Sequence, residues 1–381
     1  MTSASPRARR VLLVTEHALR GGAETSTVLL GRSLRQRGID VSVAFGWRGE
    51  MLEDARRAGL RLPPGTGRWT PGRGRLRVPG MLLAARSRVD VVHVSALEDR
   101  STATGLAALR AGRPTVAHLR SPWQLDRART LHGAGATVVT NSSDTARRLR
   151  AAGCDRVHFV ANGIDAGPFE RAAARPREVR EATRAAIGVP PDAVVAICVA
   201  NMAPYKAIED LVPAVALAMR AEPRLHLVHV GASHFRSTRH VRAAVEAAVG
   251  ASGAAERFHL LGSRPDVADL TATADLALVP SRGEGTARAV LEAWAAGIAV
   301  VAADVPGLVD LVQHGKNGAL VDLQDTEGTA TTVLRLVGDP EWRATLAAEG
   351  HRAVGAEFSH DAHVEAVLAV HRAAARTRGT A

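Results

Sequence analysis

The sequence predicts an α/β protein with two Rossmann-like domains. Short apolar runs alternate with helix-compatible segments along nearly all of the chain, which is typical of parallel sheets with helices on both faces. The length of 381 residues suffices for two domains, each with its own core. Residues 171–192 are charged, helix-compatible and contain Pro190-Pro191, so we expect a linker region there.

The first domain, residues 1–170, opens with a predicted strand over 11–15 and a helix from about 25 to 37. Gly21 and Gly22 lie between them, where the lack of a Cβ would let a phosphate approach the backbone; a plain tight turn is the alternative. Further strands are predicted at 41–45, 91–94, 115–117, 137–139 and 158–160.

His118 follows one of these strands at its C-terminal end, where open α/β sheets bind ligands. A purely structural histidine is the alternative. The arginine-rich segment 51–89, which includes Trp69, predicts an irregular region that contacts an acceptor or a surface, with an exposed linker as the alternative.

The second domain, residues 193–355, has predicted strands at 194–199, 225–230, 259–261 and 276–279. A further turn and strand follow in HGKNGALVD, and the chain is helical beyond Asp339-Pro340. Residues 356–381 form a C-terminal segment, in which 361–375 have the length and pattern of an amphipathic helix.

The stretch Ala274 to Asp310 organises the second domain. Its pattern predicts a strand, the loop SRGEG, a helix over 287–296 with Thr286 as N-cap and Gly297 just past its end, and a second strand. Glu284 and Glu292 are eight positions apart, which in a helix would be roughly 12 Å, close to the span of a pyrophosphate with a sugar on either side.

The backbone amides of Gly285, Thr286 and Ala287 would then face an anion lying between the two acids. The alternative is that Glu284 is a solvated loop residue and Glu292 an exposed helix position.

Charge is unequally distributed. Residues 1–171 carry 28 Arg and 14 acidic residues, a net +14, whereas residues 172–381 carry 21 basic and 24 acidic residues, a net −3, giving the total of +11. A basic surface attracts nucleic acid, an acidic membrane surface or a phosphorylated acceptor, although an arginine-rich coding bias would have the same effect. An aromatic content of 3% disfavours a single-strand nucleic-acid binder.

Two rare residue types narrow the chemistry. Lys206 and Lys316 are the only lysines beside 47 arginines, which indicates positions where a compact ammonium is needed. Cys154 and Cys198 have no spacing for zinc, and two cysteines fit a reducing compartment. No G-x-G-x-x-G is present, which disfavours a nicotinamide site.

No apolar run is long enough for a spanning helix, and the N-terminal apolar run is too short for a secretory signal. The sequence therefore predicts a cytoplasmic protein, with a peripheral position at the inner face of the membrane left open by the basic first half.

Several motifs together resemble glycosyltransferase family 4, the glycosyl transferases group 1. The family signature runs P-S, E-G and E-A-x-A-x-G-x-P-V-V, and this chain has Pro280-Ser281, Glu284-Gly285, Glu292-Ala293, Ala295, Gly297 and Val300-Val301. Three more segments match: Gly21-Gly22-Ala23-Glu24 for G-G-x-E, 162–169 for N-G-x-D-x-x-x-F, and Lys206 for the lysine of G-R-L-x-x-x-K-G. Asn201 replaces the usual arginine of the last motif, and Asp310 replaces the glutamate of G-G-x-x-E.

The resemblance implies a retaining GT-B enzyme, with two Rossmann-like β/α/β domains facing a deep interdomain cleft and a C-terminal helix that crosses back to the first domain. It implies a hexosyltransferase that uses a nucleotide-diphosphate sugar and an acceptor hydroxyl, with no metal and no other cofactor. The catalytic residues it implies are Glu284, His118 and Lys206. The donor-binding residues are Gly21, Gly22, Asn201, Lys206, Ser263, Arg264, Glu284, Gly285, Thr286 and Glu292.

The sequence does not decide whether the acceptor is a polysaccharide, a lipid head group or a natural-product core. Anionic and membrane-associated acceptors are among these possibilities. No specific nucleic acid is expected as a partner, and the sequence does not indicate an oligomeric state. Two rival functions remain: a nucleotide-sugar epimerase of the same fold and a non-catalytic nucleic-acid-binding protein.

Overall fold

The computed structural model describes residues 10–19, 21–64, 66, 89–233 and 238–376. Its chain forms two compact units, one containing the residues up to Gly163 and those from His360 onward, the other Ile164–Ser359. Each unit contains a six-stranded parallel sheet, so the predicted pair of Rossmann-like domains is confirmed.

Unit 1 has the strand order β2-β1-β3-β4-β5-β6. The strands are β1 (Arg10–Thr15), β2 (Asp40–Phe45), β3 (Val91–Ser95), β4 (Thr115–Leu119), β5 (Thr137–Thr140) and β6 (Val157–Phe159). The helices are α1 (Gly22–Gln36), α2 (Met51–Arg57), α3 (Asp99–Arg110), α4 (Leu125–Gly133) and α5 (Ser143–Ala151).

Strand β1 shows why the sheet of unit 1 is covered on both faces. Val11 and Leu13 belong to one buried apolar cluster, and Leu12 and Val14 belong to another. Successive side chains of a strand point to opposite faces, so an uninterrupted apolar run requires a core on each side.

The C-terminal helix, α14 (His360–Arg376), packs in unit 1, as predicted. Val364 and Val367 join the same buried cluster as Val11 and Leu13. Arg37, directly after α1, forms ion pairs with Asp361 and Glu365, whose side chains are exposed.

Unit 2 has the strand order β12-β11-β10-β7-β8-β9. Its strands are β7 (Val194–Val199), β8 (Leu225–Val230), β9 (Phe258–Leu260), β10 (Leu276–Val279), β11 (Ala299–Ala303) and β12 (Ala319–Val321). Its helices are α6 (Gly167–Ala173), α7 (Arg177–Ala186), α8 (Ile208–Ala221), α9 (Arg239–Ala251), α10 (Val267–Ala272), α11 (Arg288–Ala295), α12 (Thr326–Gly338) and α13 (Pro340–Glu357).

The segment expected as a linker, 171–192, contains the end of α6 and all of α7, and both belong to unit 2. Arg184 of α7 donates hydrogen bonds to the Thr273 and Ala193 carbonyls and pairs with Asp275. In the arginine-rich segment 51–89, the structure shows helix α2, and Trp69 lies outside the described residues.

Each sheet has one topological switch point, where the strand order reverses. It lies between β1 and β3 in unit 1 and between β7 and β10 in unit 2. Open parallel sheets bind ligands beyond the carboxyl ends of the strands at this position. The loops that follow these four strands are therefore the places to look for a site.

Candidate active site

Lys206 and Glu284 meet at the switch point of unit 2. Lys206 lies in the loop after β7 and Glu284 in the loop after β10, and Lys206 Nζ forms an ion pair with Glu284 Oε1. The Ser281 hydroxyl donates to the same Oε1 at 2.7 Å. The two ionic side chains are 19% and 12% exposed, so an entering ligand would find both groups at a largely desolvated edge of the sheet.

The pair has a clear electrostatic consequence. Burial alone would lower the pKa of Lys206, but the Glu284 carboxylate overrides that effect and the pKa lies above its usual value. Lys206 is therefore an ammonium at neutral pH. Its Nζ also lies 5.1 Å from the centroid of the Tyr205 ring, which favours the cation further.

Arg282 holds the two loops together. Its Nη1 donates to the Pro204 carbonyl, its Nη2 pairs with Asp210 and Glu209, and its backbone amide donates to the Tyr205 carbonyl at 2.8 Å. These partners all come from the β7 loop and the start of α8. The position of Lys206 relative to Glu284 is thus fixed by a third residue.

Gly307 allows another loop to approach Glu284. A Cβ at this position would lie 2.0 Å from the Glu284 carbonyl oxygen and 2.7 Å from that of Gly285, and Gly307 has φ +87°. Only glycine fits both the space and the backbone conformation. The Glu284 amide, in turn, donates to the Pro306 carbonyl at 3.2 Å.

The start of helix α11 differs from the prediction. The helix begins at Arg288, with Ala287 rather than Thr286 at the N-cap position and no side-chain cap. Residues 284–287 are not helical, so the estimate of about 12 Å between the two acids from helical rise does not apply. Gly297 does adopt the left-handed conformation expected after the helix, with φ +69°.

Glu292 lies in the second turn of α11 and is 8% exposed. Its Oε1 accepts a hydrogen bond from Arg288 Nη2 at 2.8 Å. Gly285 and Thr286, which lie between Glu284 and this helix in the sequence, are both buried. Arg288 is thus the neighbour that neutralises Glu292.

The remaining predicted donor-binding residues of unit 2 lie in exposed loops. Asn201 follows β7, and Ser263 and Arg264 follow β9. Arg264 forms a two-point ion pair with Asp266, at 2.8 and 2.7 Å, which lowers the pKa of the Asp266 carboxyl. The guanidinium is therefore oriented by its own loop.

In unit 1, the glycine pair lies at the start of α1. Gly21 is the N-cap residue and Gly22 the first helical residue. A Cβ on Gly21 would lie 2.6 Å from Glu24 Oε2, so glycine lets this carboxyl fold back over the turn. Burial raises the pKa of Glu24, which is 9% exposed.

His118 lies inside β4 and is fully buried. Its Nδ1 is 3.2 Å from His93 Nε2, and His93 Nδ1 is 2.8 Å from His371 Nε2, so three imidazoles form a hydrogen-bonded row. Burial and the nearby Arg120 cation lower the pKa of His118 well below its usual value. The row is neutral at physiological pH.

Two family models match this chain. One, described as Glycosyltransferase Family 4, covers residues 20–167, and the other, described as Glycosyl transferases group 1, covers residues 193–339. A D-inositol 3-phosphate glycosyltransferase of Jonesia denitrificans is 30% identical over 307 residues, which cover 78% of this chain and 69% of that relative. The chain belongs to glycosyltransferase family 4.

A second relative, a D-inositol 3-phosphate glycosyltransferase of Saccharomonospora viridis, is 35% identical over 245 residues. That match covers 63% of this chain and 55% of the relative, so the chain spans about half the length of this curated relative.

Solved structures show the same fold. HepE of Anabaena, in complex with UDP and glucose, has a TM-score of 0.81 at 22% identity, with 94% of this chain and 98% of that chain covered. The sucrose-phosphate synthase of Thermosynechococcus elongatus has a TM-score of 0.76 at 20% identity, with 96% and 99% covered. The predicted GT-B fold is confirmed.

The structure brings part of the predicted site together. Lys206 contacts Glu284 directly, and Gly285 and Thr286 continue the same loop, whereas Glu292 contacts Arg288 instead. A sugar contact by His118 stays a prediction, and the structure places its imidazole in the interior of unit 1.

No motif of the sequence pointed to Arg120. It lies directly beyond β4, two residues after His118, and its guanidinium is the charged group at that strand end. The position of Arg120 directly after a predicted strand could have indicated it as a site residue. The first residue past a parallel strand faces the ligand edge more directly than a residue within the strand.

Among the described residues, no group of three or more His, Cys, Asp or Glu side chains is arranged to hold a metal ion. No described helix combines the length and the apolar character needed to cross a bilayer.

Proposed function

We propose that this glycosyltransferase moves a hexose from a nucleotide-diphosphate sugar to an acceptor hydroxyl, with retention of the anomeric configuration. The observation that carries the proposal is the Lys206–Glu284 pair at the switch point of unit 2. It supplies one cation for a phosphate and one carboxylate for sugar hydroxyls at a single sheet edge. The UDP and UDP-glucose complexes of HepE support a donor of this class.

Lys206 would bind the diphosphate. An ammonium has three N–H donors, and one of them meets Glu284 Oε1, which leaves donors for phosphate oxygen atoms. As the bond between the anomeric carbon and the diphosphate oxygen breaks, negative charge develops on the diphosphate, and a fixed cation stabilises it. The charge of Lys206 is the reason we propose transfer without a metal ion, so that a chelator would leave the rate unchanged.

Glu284 would hold the hexose. The described contacts of its carboxylate use Oε1, so Oε2 is available to accept hydrogen bonds from sugar hydroxyls. The amides of Gly285 and Thr286 would face the diphosphate, and Glu292 would accept from the ribose hydroxyls by exchanging its bond to Arg288. The new bond forms to the acceptor oxygen, whose proton is released with the nucleoside diphosphate.

We also propose a class of acceptor. Two relatives are named D-inositol 3-phosphate glycosyltransferases, so polyols and their phosphates are the first acceptors to examine.

The experiment has two stages. A thermal-shift screen against UDP, GDP, ADP and dTDP identifies the base, because a ligand of the folded state raises the melting temperature. Chromatography of a reaction between the matching hexose donors and a polyol acceptor series then detects transfer. We expect a glycoside that depends on acceptor; conversion of the donor to its epimer without acceptor, or no shift with any nucleotide, would overturn the proposal.

A further inference from the structure

Arg288 begins helix α11, directly after the loop that contains Glu284. A cation is unfavourable there, because the N-terminus of a helix already carries a partial positive charge. The first turn contains no acidic residue, and Ala287 at the N-cap position provides no side-chain cap. Helix α7 also begins with an arginine, but it has Glu178 in its first turn. The start of α11 therefore has more positive charge than its own first turn neutralises.

The Arg288 guanidinium contacts one carboxylate among the described residues, that of Glu292, with 2.8 Å between Nη2 and Oε1. In a helix, an ion pair with the base N-terminal to the acid is the weaker of the two orientations. Arg242 and Glu246 of α9 have the same spacing, but their side chains are 65% and 48% exposed, against 28% and 11% for Arg288 and Glu292. The Arg288 pair is thus largely desolvated, although its orientation stabilises the helix little.

Both partners of this pair keep hydrogen-bonding atoms that a ligand can reach. Arg288 Nε and Nη1 have no partner among the described residues, and neither atom is enclosed by the protein. The same holds, within the described part of the chain, for Glu292 Oε2. A guanidinium that uses one nitrogen atom retains a fork of donors for a phosphate. The pair therefore offers accessible donors and an accessible acceptor within one turn of a helix at the ligand edge of unit 2.

We propose that Arg288 changes its partner when the donor binds: the ribose hydroxyls take its place on Glu292, and the guanidinium turns to the diphosphate of the same ligand. This rests on the transferase function above and adds Arg288 to Lys206 as a second cation of the diphosphate site. Lys206 is a single cation that Glu284 already pairs, whereas a nucleoside diphosphate carries more than one negative charge.

The exchange makes the two halves of the nucleotide depend on each other. A nucleoside that binds Glu292 leaves the guanidinium without its carboxylate and supplies no anion in return. A nucleoside diphosphate replaces that carboxylate with its own phosphate oxygen atoms. A residue that merely supported the fold of α11 would instead affect the binding of both ligands alike.

The test measures the dissociation constants of UDP and uridine with the full chain, by calorimetry for UDP and by displacement of UDP for uridine. If the thermal-shift screen selects another base, both ligands carry that base. Arg288→Gln should raise the dissociation constant of UDP at least about tenfold, because hydrogen bonds between charged groups are lost. The same variant should leave the dissociation constant of uridine unchanged or lower it, because no cation then occupies Glu292. Arg242→Gln, which removes the exposed pair of the same spacing on α9, should alter neither.

Equal increases for UDP and uridine in Arg288→Gln, or an unaltered dissociation constant of UDP, would overturn the exchange. If Arg288→Gln does not fold by circular dichroism, the 2′,3′-dideoxy analogues of both ligands test the exchange with the wild type. Loss of the hydroxyls should weaken UDP at least about tenfold more than uridine, because the hydroxyls release Arg288 to the diphosphate; equal losses would overturn the exchange. A wild type that binds no nucleoside diphosphate would instead contradict the proposed function.

Discussion

Lys206 and Glu284, 78 positions apart in the sequence, form an ion pair that joins the loops after strands β7 and β10. These two strands are neighbours in the sheet and flank its switch point. The ion pair therefore places a cation and a carboxylate at the position where a parallel sheet of this kind binds its ligand.

The carboxylate charge of Glu284 is expected to matter more for transfer than for nucleotide binding. Glu284→Gln keeps the side-chain shape but weakens the hydrogen bonds to the sugar, and we expect kcat to fall by about 10- to 100-fold. Nucleoside diphosphate affinity should change less than tenfold because Lys206 remains. Glu327→Gln, at an exposed position of α12, is the control. An unaltered kcat in the Glu284 variant would exclude the role given to it.

The close approach of Gly307 to the Glu284 loop gives a second prediction. Alanine at Gly307 or at Gly315 must adopt a left-handed backbone, at a cost of about 1–2 kcal/mol in each case. Only the Gly307 variant also places a Cβ against the Glu284 carbonyl, since nothing lies within 4 Å of a Cβ at Gly315. We expect both variants to melt at lower temperature and Gly307→Ala alone to lose most of its transfer rate. Equal transfer rates would show that the approach is not needed for activity.

Arg282 should act as a positioning residue. It is 47% exposed, so its ion pairs with Glu209 and Asp210 add little to stability, whereas the bond from its guanidinium to the Pro204 carbonyl holds the Lys206 loop. Arg282→Ala should raise the donor KM by about three- to tenfold with a small change in melting temperature. Arg242→Ala, which removes an exposed ion pair with Glu246 on α9, should change neither. A donor KM equal to that of the wild type would refute the positioning role.

Stability should fall on acidification because of the histidines buried in unit 1. Burial lowers the pKa of His363 and of His371 to about 4, and that of His93 well below its usual value. Below pH 6.5 these histidines bind protons in the unfolded chain but not in the folded chain. The free energy of unfolding therefore has its full value above pH 6.5 and decreases as the pH falls toward 4. His363 and His371 should each lower the free energy of unfolding by about 2 kcal/mol between pH 7 and pH 5.

Denaturant unfolding at pH 7, 6 and 5 measures this loss. His371→Gln, which cannot titrate but can still hydrogen-bond to His93, should show a smaller decrease than the wild type. A free energy of unfolding that is constant or rises between pH 7 and pH 5 would contradict the burial argument.

The strands of unit 2 were predictable because their signals are local. The bounds of β7, β8 and β10 agree with the apolar runs at 194–199, 225–230 and 276–279, each of which ends at a small, polar or proline residue. The start of α11 was predicted to within one residue: Ala287 precedes the helix instead of beginning it, and the loop before it is tied to Pro306 through the Glu284 amide, a contact that the local sequence does not contain.

The candidate site was predictable where a motif names the residue and not where distant partners define it. Lys206 and Glu284 each match a motif, and their contact follows from the neighbouring positions of β7 and β10. The place of Arg120 depends on Ser95 and Asn162, which are 25 and 42 positions away, and no local pattern indicates that all three meet.

Calorimetric titration of the nucleoside diphosphate into wild-type protein and into two lysine variants tests the central claim most directly. Lys206 lies at the switch point of unit 2, whereas Lys316 lies in an exposed turn beside Gln313. We expect Lys206→Ala to raise the dissociation constant at least about tenfold, and Lys316→Ala to leave it at the wild-type value. A dissociation constant for Lys206→Ala that equals the wild-type value would contradict the diphosphate site.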